Sequence, residues 1–313
     1  MRKILITGVA GFVGYNLVEF LKKDENNDIY GTKLNFENVE IDGLKVYNMD
    51  ITNIEEVENV ILEIKPDYIY HLAAQSSVKR SWDNPIETVN INVIGTINLL
   101  ETIRKNNLSP KVLLIGSSEE YGATFKTIES PNEKDACIPE NFYALTKNTQ
   151  NQIGYIYAKT YGLHIVMTRS FNHIGIKQSP VFVVSDFCKQ VAEIEKGLRE
   201  PTIFVGNLDI FRDFTDVYDI VRAYTLLIDN GVIGETYNVG SNKASNLREI
   251  LSKIIKMSNT EIEIKVDKDK FRKNDILKTR ANTSKIYNLL KWETTIDLEE
   301  SLKNILNYWR KKV

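Results

Sequence analysis

Short apolar runs alternate with longer amphipathic ones through the first half of the chain. The short runs predict strands at Lys3–Thr7, Asp28–Thr32, Leu44–Tyr47, Tyr68–Leu72, Val112–Ser117 and His164–Arg169. The amphipathic runs predict helices at Phe12–Lys23, Ile54–Ile64, Pro85–Lys105 and Asn141–Tyr161. Strand–helix–strand alternation with short connections implies a parallel sheet covered by helices on both faces, with right-handed crossovers. The pattern changes after Phe171. Helices are expected over Ser185–Lys196, Val217–Asp229, Leu247–Lys256, Ser284–Leu289 and Leu298–Arg310, with a strand at Ile203–Val205. The fold class read from this order is α/β: a Rossmann-type, doubly wound parallel sheet with a smaller C-terminal α/β lobe. Residues 1–171 and about 213–240 are assigned to the sheet domain. Residues about 172–212 and 241–313 are assigned to the lobe, which is expected to take the substrate.

Composition narrows the function classes. The chain has 313 residues, and its 40 Lys+Arg against 42 Asp+Glu leave a net charge of -2. No global basic field exists to draw in nucleic acid, so an anionic ligand needs locally placed cations. Two cysteines, Cys137 and Cys188, and three histidines show no metal-ligand spacing, and no metal is expected. The cysteine usage suits a reducing compartment. No apolar run approaches the roughly 20 residues that span a bilayer. With no signal-peptide pattern before the first strand, the expectation is a soluble, cytoplasmic protein.

Candidate chemistry begins where the first strand ends. Thr7-Gly8-Val9-Ala10-Gly11-Phe12-Val13-Gly14 places three glycines at spacing three between a strand and a helix. Gly8 permits a tight turn, Gly11 allows backbone to approach a pyrophosphate, and Gly14 lets the helix pack close to the sheet. The helix N-terminus supplies N–H donors to the phosphates. The second strand ends at Gly31-Thr32-Lys33, with no acid until Glu37 to hold ribose hydroxyls. Lys33 can pair with a 2′-phosphate instead, so NADP(H) is favoured over NAD(H). Asp50 and Ile51 follow the third strand and either border the adenine or serve the start of the next helix.

Tyr143 and Lys147 are four apart on a predicted helix and project from one face. An ammonium beside a phenol favours the phenolate, which would tune Tyr143 for proton exchange with a sugar oxygen. Ser117 closes the strand Val112–Ser117, at the end of the sheet where such folds bind ligands, and its hydroxyl can stabilise charge on the reacting oxygen. His71, Trp82, Trp292 and Trp309 read as packing residues.

Together, Thr7-Gly-x-x-Gly-Phe-x-Gly14, His71-Leu72-Ala73-Ala74-Gln75, Asn92-x-x-Gly95-Thr96, Ser117-Ser-Glu-Glu-Tyr-Gly122 and Tyr143-x-x-x-Lys147 resemble the extended short-chain dehydrogenase/reductases, in order and separation over the whole chain. The resemblance implies a nicotinamide cofactor lined by Phe12, Val13, Leu72, Ala73 and Ala74, a nucleotide-sugar substrate, and a homodimer packed through helices 85–105 and 141–161. Arg169-Ser-Phe-Asn172-His173-Ile-Gly175, Val184–Gln190, Val205–Asp209 and Arg212–Val217 resemble the GDP-mannose branch of that family. Within that branch the likeness is greater to GDP-4-keto-6-deoxy-mannose reductases, which make GDP-rhamnose, than to GDP-mannose 4,6-dehydratases. The branch usually continues Gly175 with Pro-Gly, where this chain has Ile176-Lys177. The same resemblance implies substrate contacts from Asn172, Val184, Lys189 and Asn207, and diphosphate contacts from Arg212 and Arg272.

For a reductase, Ser117, Tyr143 and Lys147 suffice. A dehydratase also needs a base for the C5 proton, and Glu119 stands where the dehydratases carry one; the alternative for Glu119 is a capping or solvated carboxylate. Another nucleotide-sugar epimerase or reductase remains open. So does a non-catalytic NADP-binding sensor, although such a protein has no need of the tyrosine and lysine.

Overall fold

The computed structural model describes residues 1–39, 41–270 and 276–313. Arg272 therefore lies outside the described residues. The sheet domain contains strands β1 (Arg2–Thr7), β2 (Asn27–Lys33), β3 (Lys45–Asn48), β4 (Tyr68–His71), β5 (Lys111–Ser117) and β6 (Ile165–Ser170). Its helices are α1 (Phe12–Leu21), α2 (Ile54–Ile64), α3 (Val78–Asp83), α4 (Pro85–Val89), α5 (Gly95–Lys105) and α6 (Phe142–Tyr161). Beyond β6 come β7 (Asn172–Ile174), α7 (Val183–Glu195), β8 (Thr202–Val205), β9 (Phe211–Asp216), α8 (Val217–Asn230), β10 (Thr236–Val239), β11 (Ala244–Asn246), α9 (Leu247–Lys256), β12 (Glu263–Val266), α10 (Ser284–Leu290) and α11 (Leu298–Lys312).

Seven parallel strands form one sheet in the order β3-β2-β1-β4-β5-β6-β10. Strand order reverses between β1 and β4, which opens a crevice at the carboxyl ends of the strands. The register aligns those ends: Thr7 pairs with His71, and Ser117 with Ser170. Leu17, Val18, Val217, Ile220 and Val221 bury one face of the sheet. Val57, Ile61, Leu99, Leu100 and Ile103 bury the other. Burying apolar surface on both faces is what makes the central strands read as near-continuous hydrophobic runs.

The lobe has its own core, in which Phe187, Val191, Leu251, Ile254, Leu302 and Trp309 from α7, α9 and α11 meet. Two short sheets, β11-β9-β7 and β12-β8, complete it. The chain returns to the sheet domain through α8 and β10. It does so again at α10: Ile286 and Trp292 pack into the sheet-domain core, although the sequence pattern placed them in the lobe.

The predicted helix Pro85–Lys105 is interrupted. Between α4 and α5, Asn90–Ile94 form a π-helical turn. This buries Asn92, whose side chain holds Gln75 N–H (2.8 Å), Gln75 carbonyl (3.0 Å) and the Thr146 hydroxyl (2.9 Å). Trp292 and Trp309 are buried as packing residues, whereas Trp82 is half exposed and sits edge-on against Phe142. Among the described residues no helix is long and apolar enough to cross a membrane.

Candidate active site

The glycine turn has the geometry its spacing predicts. Gly8 takes a φ of +70°, and a Cβ there would lie 2.8 Å from Ala73 Cα. Gly14 sits against Val9, where a Cβ would lie 2.8 Å from that residue's Cα and carbonyl oxygen. At Gly11 a Cβ would meet only the Gly8 carbonyl, at 3.3 Å, so the backbone surface there is clear for a phosphate. Thr7 buttresses the turn: its hydroxyl accepts the Ala73 N–H (3.1 Å) and bonds His71 Nδ1 (2.9 Å). His71 Nε2 in turn meets the Thr96 hydroxyl at 3.1 Å. Burial, with Lys147 nearby, pushes the His71 pKa down to about 3, so it is a neutral packing residue as the sequence suggested. These features fit a dinucleotide, with its pyrophosphate over Gly11, Phe12 and Val13.

Lys33 stands at the end of β2, its ammonium donating to the neighbouring Leu34 carbonyl (3.2 Å). Asp50 accepts from the Thr52 N–H (2.9 Å) and hydroxyl (2.8 Å), closing a turn, while Asn53 caps α2. Ile51 is buried beneath Gly95, and Asn98 donates to its carbonyl (3.0 Å). Leu72, Ala73 and Ala74 follow β4 as a half-buried stretch along the same crevice.

Ser117, Tyr143 and Lys147 come together across β5 and α6. The Ser117 side chain is near enough to the Tyr143 phenol to favour its phenolate. Lys147 is buried, and its ammonium donates to the Ile115 carbonyl (2.8 Å) and to Gln150 Oε1 (3.0 Å). Among the described residues these acceptors take two of its three N–H donors. Burial pushes the Lys147 pKa down to about 8, opposed by the Glu120 carboxylate. The expectation that Lys147 lowers the Tyr143 pKa is corrected. Burial raises that phenol above the ordinary tyrosine value, Ser117 lowers it, and Glu119 and Glu120 raise it. The ammonium is instead turned to the β5 carbonyl.

Asn141 caps α6, accepting the Ala144 N–H at 2.8 Å while donating to Glu119 Oε2 at 3.2 Å. Glu119 is thereby tied to the start of the helix that carries Tyr143. The sequence reading overlooked the next residue. Glu120 is fully buried and accepts the Ser117 N–H (2.8 Å), both oxygens contact Asn151 Nδ2 (2.9 and 2.8 Å), and Arg169 Nε donates at 3.1 Å. The signal was present: Ser117-x-x-Glu120 is a capping box, and it forms here over a 3-10 turn.

The lobe residues divide. Asn172 is exposed just beyond β6, beside the strand end that carries Ser170. Asn207 accepts the Asp209 N–H (2.9 Å) in a turn. Arg212 is buried on β9 and donates to the carbonyls of Phe211 (2.9 Å) and Ile276 (2.7 Å). Val184 is buried in the lobe core, and Lys189, on the same helix, is ion-paired with Glu193 one turn on.

The branch's Pro-Gly is also replaced without loss of the turn. Lys177 takes the left-handed conformation, φ +70°, in the place where glycine is usual. Its ammonium lies 4.8 Å over the Tyr15 ring, and Asn16 donates to the Ile176 carbonyl at 3.3 Å. Both contacts tie this loop to α1.

Known proteins share these features. The chain is 28% identical over 313 residues to GDP-6-deoxy-D-mannose reductase of Pseudomonas aeruginosa, covering 100% of this chain and 98% of that one. The structure of RMD from Pseudomonas aeruginosa complexed with NADPH superposes with a TM-score of 0.89 at 28% identity, all of both chains being covered. UDP-glucose 4-epimerase of Thermus thermophilus, solved with NAD, gives a TM-score of 0.87 at 25% identity, again over 100% of each. The family model described as GDP-mannose 4,6 dehydratase matches residues 5–305, and on that span the chain belongs to this nucleotide-sugar reductase, dehydratase and epimerase family within the extended short-chain dehydrogenase/reductases.

Proposed function

We propose that this protein uses NADPH to reduce the C4 ketone of a GDP-4-keto-6-deoxy-hexose, giving a product of the GDP-rhamnose type. The observation that carries the reading is the meeting of Ser117, Tyr143 and Lys147 across β5 and α6 at the carboxyl end of β5. Reducing a ketone requires a proton for the new alkoxide. A phenol whose pKa is raised by burial holds that proton at neutral pH, ready to give it.

The glycine turn and the N-terminus of α1 would hold the pyrophosphate, Lys33 the 2′-phosphate, and Leu72, Ala73 and Ala74 one wall of the crevice. Bound NADPH would supply the hydride. Ser117 donates to the C4 oxygen as charge grows there, and Tyr143 passes its proton to the same oxygen. Lys147 keeps one N–H for a ribose hydroxyl. The lobe, with Asn172, Asn207, Arg212 and Arg272, would hold the nucleotide diphosphate, the arginines through paired hydrogen bonds to phosphate. The similarity to a GDP-6-deoxy-D-mannose reductase supports the guanine nucleotide and the reaction.

A second reading, 4,6-dehydration of GDP-mannose, is favoured by one observation. Glu119 is half-buried two residues after Ser117, held by Asn141 at the crevice, where a C5 base is wanted.

We further propose a homodimer. Ile86, Val89 and Ile94 on the first helical run, and Leu145 and Ile156 on α6, leave their apolar side chains exposed. A second copy of the same two helices would cover them.

One experiment separates the two reactions. Incubation with GDP-mannose alone should leave it unchanged, while GDP-4-keto-6-deoxy-mannose with NADPH should gain two hydrogens by mass. A 4-keto product from GDP-mannose alone would favour the dehydratase.

A further inference from the structure

We infer that Glu120 is a positioning residue that fixes the Ser117 backbone against the catalytic helix and supplies the negative charge that keeps Lys147 cationic. This rests on the reading of Ser117, Tyr143 and Lys147 as the reacting trio.

Three elements meet at this one carboxylate. Its Oε1 accepts the N–H of Ser117, at the end of β5. Asn151 of α6, one turn beyond Lys147, donates to both oxygens. Arg169 of β6, paired across from Gly116, donates through Nε. Burial pushes the Glu120 pKa up, and the Arg169 cation, the Ser117 N–H and the Asn151 amide, all donors to it, pull it back toward the carboxylate. Arg169 is anchored in turn by the Tyr121 hydroxyl and the Glu133 carbonyl, both at 3.2 Å.

The strand is shaped around the carboxylate. A Cβ on Gly116 would lie 2.2 Å from the Thr168 carbonyl oxygen, 2.4 Å from Glu120 Oε1 and 2.6 Å from Asn151 Nδ2, so glycine is required by the neighbouring strand as well as by the pair. A buried ion pair seldom adds net stability over apolar packing, and its retention directly beneath a reacting serine points to a role in the site.

The charges around Lys147 can be named. Glu120 approaches from the turn after β5 and favours the ammonium. His71, from β4, is neutral. Tyr143, from the same helix, is protonated, and its own neighbours are Ser117, Glu119 and Glu120. Glu120 raises the pKa of both Lys147 and Tyr143. Its removal therefore acts on both in the same direction: each loses its proton at a lower pH.

The test is Glu120→Gln in the full chain, with kcat measured across pH using NADPH and GDP-4-keto-6-deoxy-mannose. The alkaline limb should move down by about one pH unit, with kcat falling about tenfold at the alkaline end. NADPH affinity should stay within about threefold. An alkaline limb in its wild-type place, or a kcat lowered equally at every pH, would overturn the inference. Glu120→Gln leaves Arg169 buried without its carboxylate and can unfold the chain. The double variant Glu120→Gln/Arg169→Met removes both charges and should fold, with the limb displaced in the same direction but by less, because the opposing Arg169 cation is gone as well. If the reductase reading itself fails, wild-type protein shows no turnover at any pH, an outcome distinct from an unmoved limb.

Discussion

Replacing Gly8 by alanine tests the cofactor turn through two separable costs. The residue sits at φ +70°, where an L side chain costs about 1–2 kcal/mol. Its new methyl would also lie 2.8 Å from Ala73 Cα and 2.9 Å from Ala73 N, backbone atoms that cannot swing aside. Overpacking of that kind costs about 1–3 kcal/mol more, so the variant should lose about 2–5 kcal/mol. In a chain of this size that lowers Tm by roughly 4–10 °C. Gly162, the C-cap of α6, is the control: φ is also +70°, but nothing lies within 4 Å of a Cβ there. Gly162→Ala should cost only the backbone part, about 1–2 kcal/mol. Thermal unfolding followed by circular dichroism, with and without NADPH, reads both effects. The difference between the variants isolates the contact with Ala73, and only Gly8→Ala should reduce the rise in Tm that NADPH gives. Equal losses in the two variants, with NADPH raising both equally, would refute the close approach of the turn to the strand after β4.

Three further outcomes are expected. Lys33→Met should weaken NADPH binding about tenfold and leave NADH binding unchanged, as read by titration calorimetry; parallel losses for both cofactors would remove Lys33 from the 2′-phosphate. Lys177→Gly relieves a left-handed lysine and should raise Tm slightly, by an amount corresponding to about 0.5–1 kcal/mol, unless the cation stacked on Tyr15 outweighs the strain, in which case Tm falls. Ile156→Glu places a charge on the exposed face of α6 and should convert a dimer to monomer in size-exclusion chromatography with light scattering; an unchanged mass would place the interface elsewhere.

The sheet domain was legible because its strands are buried on both faces and its helices on one. Burial of that kind writes period and run length directly into the sequence, as at Val112–Ser117 and Ile54–Ile64. The shorter lobe strands left no such trace. Asn172–Ile174 and Ala244–Asn246 have three residues each, too few for alternation to register. The π turn at Asn90–Ile94 was hidden because its residues continue a helical pattern, and only the pairing of Asn92 with Gln75 and Thr146 requires the extra residue per turn. The assignment of Ile286 and Trp292 failed because an apolar helix face does not say which of two cores it joins.

The site shows the same division. Ser117, Tyr143 and Lys147 were found from strand end and helical spacing, which are local. Glu120 carried no local signal of its burial, which depends on Asn151 and Arg169, 31 and 49 residues away.

Turnover by Tyr143→Phe tests the central claim most directly. In the proposed reaction the phenol donates the proton, so its removal should leave folding and NADPH affinity near wild type while kcat for GDP-4-keto-6-deoxy-mannose falls by about 100-fold or more. A variant that binds NADPH and still turns over at close to the wild-type rate would contradict the account.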